Sequence, residues 1–324
     1  MHGSNPVLVV STRGPLVENR HRAAVALASV QGGVVEAWGE VTAPVLPRSS
    51  VKMIQALPLL ESGAAAALGL GSEHLALACA SHQGAPMHVE RVAAWLAALG
   101  LGEEALGCGP QPPRDPAMKG QPASRVMNNC SGKHVGFLTL AEHLGAGTEG
   151  YLDPDGAVQR AVAAAFAETT GVDTPLAYGI DGCSAPNFAA PLAGIAQAMA
   201  GFAEPTRWGG ARGEAASRLV AAMAAHPLLV SGEGRACAAL QAASEGRAVV
   251  KTGADGVYAG IVPGRGLGFC LKVEDGSRLA AEALCAAVLV RVGALEPGAA
   301  RPWTDAPIRN WNGEVTGQRR VELP

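Results

Sequence analysis

"RAVVKTGADGVYAGIVPGRGLGFCLKV", residues 247–273, is the stretch whose reading decides the fold. Residues 247–251, 256–262 and 267–273 are short runs rich in Val, Ile and aromatic side chains, which suit a pleated, buried surface. Between them stand Gly253 to Gly256 and Pro263-Gly264-Arg265-Gly266, residue types that favour tight turns. The segment therefore reads as three strands, and a helix is expected directly after it, over 277–292. Strand signals recur at the opposite end of the chain. Residues 6–12 read as one strand, and 22–30 with 33–41 read as a hairpin around Gln31-Gly32-Gly33, where glycine accepts positive φ without a steric penalty.

From Lys52 to about Met223 the pattern changes to Ala- and Leu-rich segments separated by Gly and Pro, with helices expected over 53–67, 86–99, 134–144, 157–169, 186–201 and 214–225. This order implies an α+β fold: an antiparallel sheet built from both chain ends, with flanking helices and an inserted helical lobe. The expected division is a sheet-containing region from 1–46 and 226–324 and a helical region from 47–225, with the active site between them. The Pro-rich segment 110–122 is expected to be a mobile loop. The C-terminal stretch carrying Trp303 and Trp311 shows few signals of either kind.

The 324 residues, 48% hydrophobic and 16% charged, can bury a sizeable core. A net charge of -3 without a basic run offers no electrostatic footprint for nucleic acid or an anionic membrane, so a small-molecule substrate is expected. No signal peptide and no apolar run of about 20 residues is evident, which places the expected location in the cytoplasm. Seven cysteines spread widely along the chain argue against a disulfide framework and for reduced, buried thiols.

Two short motifs carry chemistry. In "PVLPRSSVKMIQALPLL", residues 44–60, Ser49 and Lys52 are three apart, so one helical turn puts a hydroxyl and an amine on the same face. A serine becomes a useful nucleophile when a neighbouring base takes its proton, and burial helps to keep a lysine neutral for that task. Ser49 or Ser50 can equally serve as a helix cap. Lys251-Thr252-Gly253 closes an apolar strand, and the order Ser-x-x-Lys then Lys-Thr-Gly is that of the penicillin-recognising serine enzymes. The Lys251 region also resembles that of serine-type glutaminases.

Together with "CASHQG" (79–84), "NNCSGKH" (128–134) and "DGCSAPNFA" (181–189), the stretch "PRSSVKMIQALP" resembles the rhizobial-type, or class 3, L-asparaginase family. The resemblance runs from the N-terminal strand to the Lys251 region. It implies a fold like that of serine β-lactamases and glutaminases, hydrolysis of the side-chain amide of L-asparagine, and a homodimer. It further implies two Ser-Lys tandems, Ser49 with Lys52 and Ser81 with Lys251, one activating the nucleophile and the other moving a proton towards the leaving ammonia. Backbone amides of Ser49 and Ala254 would stabilise the oxyanion. Arg48 would hold the substrate carboxylate or depress the lysine pKa, and His82, on an exposed loop, and Asp181 would contact substrate or support the site.

The family also binds zinc through two cysteines and a lysine, matched here by Cys130, Cys183 and Lys133. Two thiolates suit Zn2+, although the spacing is not a Cys-x-x-Cys pattern, and His134 is the ligand that general chemistry would favour over a lysine. The metal is expected in a region distinct from the tandems, supporting substrate binding. The alternatives are a serine glutaminase, a β-lactam- or ester-acylating hydrolase lacking the Ser-Asp-Asn element, and a noncatalytic zinc-dependent binding protein.

Overall fold

Residues 5–324 are described by a computed structural model. The strands in chain order are β1 (Val7–Arg13), β2 (Leu16–Ser29), β3 (Gly33–Trp38), β4 (Pro44–Val45), β5 (Tyr178–Ile180), β6 (Pro186–Phe188), β7 (Ala190–Pro191), β8 (Val249–Thr252), β9 (Val257–Val262), β10 (Leu267–Val273), β11 (Asp305–Arg309) and β12 (Val315–Val321). The helices are α1 (Lys52–Gln55), α2 (Leu57–Glu61), α3 (Ala64–Ala67), α4 (Ser72–Ala78), α5 (Pro86–Ala98), α6 (Ser131–His143), α7 (Ala157–Thr170), α8 (Leu192–Ala203), α9 (Gly210–Ala225), α10 (Pro227–Val230), α11 (Ala236–Ala243), α12 (Arg278–Arg291) and α13 (Pro297–Thr304). The chain forms two compact units. One comprises the chain up to Ser50, Ala190–Glu204 and Ala239–Pro324; the other comprises Val51–Ala189 and Pro205–Ala238.

The first unit holds the sheet, ordered β11-β12-β1-β2-β10-β9-β8, with β3 also paired to β2. Every pairing is antiparallel, and the opening stretch supplies three adjacent strands, with Lys251 opposite Ala259 and Leu271 opposite Tyr258. All six residues of β9 are buried, because α8 and α12 both pack against β9 and β10 and cover the sheet on its two faces. Gly268 explains how closely α8 approaches: a Cβ there would stand 2.6 Å from the carbonyl oxygen of Ala196. The helix lies almost on the strand backbone, a contact only glycine permits.

The second unit is helical, and α6 is its centre, with Ser131 to Ala141 buried without interruption. A helix buried on all sides lies inside a bundle rather than on its surface, and the polar side chains it carries there need partners. Trp95 of α5, 1% exposed, packs into the same core and donates its indole N–H to Thr139 at 3.1 Å. Among the described residues no helix is long and apolar enough to cross a membrane.

Several expected elements differ from those observed. The single helix expected over 53–67 is three short ones, separated at Ala56 and at Gly63, whose φ of +85° is left-handed. The helix expected over 186–201 starts only at Leu192, since Pro186 and Pro191 hold the preceding residues extended. It belongs with the sheet-containing unit, not with the helices that flank it in sequence. The loop expected to be mobile at 110–122 is tied down: Arg114 and Asp115 donate their N–H groups to the Gln83 carbonyl at 2.8 and 3.0 Å, and Gln111 bonds Ser124 at 3.0 Å. The C-terminal stretch contributes α13 and the β11–β12 hairpin, which extends the sheet beside β1.

Candidate active site

In the sheet-containing unit, β8 ends on Lys251 and Thr252. Lys251 is 1% exposed and donates to the Thr252 carbonyl at 2.8 Å. The N–H of Gly253 then bonds the Val257 carbonyl at 2.7 Å, closing the turn into β9. A Cβ on Gly253 would lie 2.6 Å from the carbonyl oxygen of Pro47 and 3.4 Å from Ser50 Cβ, so the segment carrying Ser49 rests directly on the strand end. The Pro47 carbonyl also accepts from Ser50 twice, from its N–H at 3.2 Å and its hydroxyl at 2.8 Å. Ser50 is thereby a structural hydroxyl, which separates its role from that of half-buried Ser49.

The residue before Ser49 is held against its own preference. Arg48 has φ of 56°, in a left-handed region that costs a non-glycine residue on the order of 1 kcal/mol. Its guanidinium is ion-paired with Asp255, itself at φ 55°, across the turn that follows Lys-Thr-Gly. Asp255 is a partner that the motif reading missed. A substrate carboxylate at Arg48 has to compete with this aspartate.

In the helical unit, Lys52 opens α1 and is 1% exposed. Its ammonium donates to the Ala80 carbonyl, to Ser81 Oγ at 3.2 Å and to Cys130 Sγ at 3.2 Å. An ammonium has three N–H bonds, and all three have acceptors here. Tight helix packing brings these groups together. A Cβ on Gly132 would stand 2.4 Å from the Leu77 carbonyl oxygen, so the first turn of α6 abuts the end of α4, and Cys79 to Ser81 emerge beside Cys130. Lys52 is thus bonded to the serine that the resemblance assigned to the other tandem, and the expected separation between tandems and metal residues does not hold.

Cys130, Lys133 and Cys183 do converge. Lys133 donates to Cys183 Sγ at 3.2 Å, and Cys183 shares a hydrogen bond with Cys130. That bond, with Lys52 and Lys133 nearby, holds Cys130 well below the ordinary thiol range against the upward push of burial. Donation to Cys130 and burial push Cys183 up. Burial draws Lys133 down, but the sulfurs and Asp181 outweigh it and leave its pKa raised. The donor chemistry fits a soft divalent ion with two sulfurs and one amine. Among the described residues no group of three or more His, Cys, Asp or Glu is placed to hold a metal ion. His134 turns to the Tyr151 hydroxyl with Nδ1 at 2.6 Å.

Asp181 is half-buried in a turn closed by Ser184 N–H to its carbonyl at 2.8 Å, and Ala254 is exposed in the turn after Gly253. His82 differs from expectation: it is buried, at 1% exposure, and both ring nitrogens are engaged. Nδ1 accepts from Gly84 N–H at 3.1 Å, while Nε2 stands 2.9 Å from Ser131 Oγ, which itself donates to Val126. The ring stacks on His88 at 4.8 Å. It shapes the loop after Ser81 and has no free nitrogen for a substrate. All seven cysteines are buried thiols outside any disulfide, as their spread along the sequence suggests.

Among solved structures, one described as Mglu in its native form shares 16% identity at a TM-score of 0.51, over 85% of this chain and 65% of that one. A beta-lactamase from Mycobacterium bovis shares 15% identity at a TM-score of 0.45, over 83% of this chain and 94% of that one. The first likeness shows the fold, and this chain spans 65% of that protein's length. No curated protein matches in sequence. The L-asparaginase II family matches residues 9–321, nearly the whole chain. A mixed sheet-and-helix fold agrees with that match, and the chain belongs to the L-asparaginase II family of amidohydrolases.

Proposed function

We propose that this enzyme hydrolyses the side-chain amide of L-asparagine to aspartate and ammonia, with Ser49 as nucleophile. The observation that carries the reading is the buried Lys52 ammonium on Ser81, in a chain of an amidohydrolase family. Ser49 attacks the amide carbon, its proton passes to a lysine that has first given up its own and stands as a neutral amine, and the C–N bond breaks as the leaving ammonia takes that proton. Water then hydrolyses the acyl-serine. Lys52, Ser81 and Lys251 carry these protons, and the amides of Ser49 and Ala254 stabilise the oxyanion. Arg48 and Asp181 offer opposite charges for the α-carboxylate and α-amino groups.

Zn2+ belongs to the same proposal. Cys130, Lys133 and Cys183 would hold it, and it would supply a fixed positive charge for binding a polar substrate. The lysine must give up its proton to become a donor. A homodimer in the cytoplasm completes the proposal, and light scattering of the purified enzyme checks the assembly.

Ammonia release from asparagine and glutamine at matched concentrations tests the substrate. Asparagine is expected to be preferred, and a glutamine preference overturns the assignment. Ser49→Ala and Lys52→Ala are expected to lose activity to similar extents, because groups acting as one unit are strongly non-additive. Near-wild-type turnover in either variant refutes the role. A covalent penicillin adduct on Ser49 without ammonia release would favour the acylating alternative.

A further inference from the structure

The sulfur of Cys130 stands at a junction. It accepts from Lys52 at 3.2 Å, and it belongs to the cluster in which Lys133 and Cys183 meet. Its position is well fixed. The Cys130 N–H donates to Asn128 Oδ1 at 2.9 Å, and Asn128 is held in turn by the carbonyls of Cys108 at 2.9 Å and Gly109 at 3.1 Å. Below it, the close approach of Gly132 to Leu77 locks the start of α6.

Lys52 has a long, flexible stem, so its ammonium is placed by its acceptors rather than by its own backbone. Two of the three acceptors, Ala80 and Ser81, are consecutive residues of one loop. Cys130 is the third, and it comes from a different element, the start of α6. Two acceptors on one loop leave an ammonium free to swing about them; a third from another direction removes that freedom.

We propose that Cys130 is a positioning residue for Lys52 as well as a metal donor: its sulfur tethers the ammonium on Ser81, so the metal cluster and the serine-lysine machinery share one atom. Cys130 and Cys183 are then not equivalent. Both would serve the metal, but only Cys130 also aims the lysine. The inference rests on the proposed role of Lys52 in amide hydrolysis.

The test compares Cys130→Ala, Cys130→Ser and Cys183→Ala, all stripped of metal with a chelator and verified by elemental analysis. With metal absent throughout, the two alanine variants both lose the Cys130–Cys183 bond and differ in which lysine loses its sulfur acceptor, Lys52 in Cys130→Ala and Lys133 in Cys183→Ala. Cys130→Ala is expected to show a kcat at least about tenfold below that of Cys183→Ala, since a displacement of about 1 Å in a catalytic group can cost up to a hundredfold. Cys130→Ser, whose hydroxyl still accepts a hydrogen bond, is expected to recover most of the gap. Equal kcat values in Cys130→Ala and Cys183→Ala overturn the proposal.

Crystal structures of the same variants give a readout independent of turnover. Lys52 Nζ should leave Ser81 Oγ in Cys130→Ala and remain in Cys183→Ala. Retention in both overturns the proposal, even if the wild-type enzyme hydrolyses neither asparagine nor glutamine and the functional reading fails on its own. Should Cys130→Ala fail to fold, Cys130→Val, which fills the volume but accepts no hydrogen bond, takes its place in both measurements.

Discussion

Gly253→Ala isolates the contact between the Ser49 segment and the end of β8. The added Cβ would lie 2.6 Å from the Pro47 carbonyl oxygen. A comfortable carbon-oxygen separation is about 3.2 Å, so strand end and turn have to part by about 0.6 Å. Overpacking of this kind costs about 1–3 kcal/mol, while the stiffer unfolded chain returns about 0.4–1 kcal/mol. The net loss, up to about 2.6 kcal/mol, should lower Tm by up to about 10 °C. Function should suffer more, because the displaced segment carries Ser49, the proposed nucleophile; kcat/KM is expected to fall about ten- to a hundredfold. Gly264→Ala is the control, a glycine in the same unit with nothing within 4 Å of the added carbon, and it should leave Tm within about 2 °C of wild type. Circular-dichroism melting and ammonia-release kinetics on both variants decide the matter. Wild-type kcat/KM in Gly253→Ala refutes the argument.

Acid should weaken the fold near the His82–His88 stack. Burial holds both imidazoles below the ordinary histidine value, His82 well below it, so the folded chain resists protonation that the unfolded chain accepts. Their contribution to stability is fully present above the unfolded value of about 6.5 and is lost as pH falls towards the lower folded values, with a slope of up to about 1.4 kcal/mol per pH unit for each proton. Tm measured from pH 7.5 to pH 5 should fall in wild type and fall less steeply in His88→Asn; parallel profiles refute the assignment. If the proposed zinc site and substrate hold, Cys183→Ser, or zinc removal by a chelator, should raise KM for asparagine and lower Tm more than it lowers kcat. A saturating rate that vanishes on stripping and returns with zinc, in protein that stays folded, would defeat the binding role.

The sequence by itself determined the elements whose causes are local. Short apolar runs and glycine-rich turns made β8, β9 and β10 legible, with their antiparallel order, and the same cues at the N-terminus marked the strands of the same sheet. Motif spacing marked Ser49, Lys52 and Lys251, because reactive residue types recur in recognisable short patterns, and only the family resemblance added Ser81, Cys130, Lys133 and Cys183.

Tertiary structure alone decided which of them touch. Lys52 meets Ser81 and Cys130, 29 and 78 residues away, because α6 packs on α4 closely enough to exclude a Cβ at Gly132. His82 looks like a loop histidine in sequence, yet the N-terminus of α6 and the ring of His88 enclose it. The β11–β12 hairpin has weak strand signals of its own and is completed by pairing with β1, some three hundred residues earlier. Hydrophobic period and turn chemistry act over a few neighbouring residues, whereas the placement of a flexible lysine or a buried histidine depends on acceptors delivered by distant elements, and only the packed chain brings those into reach.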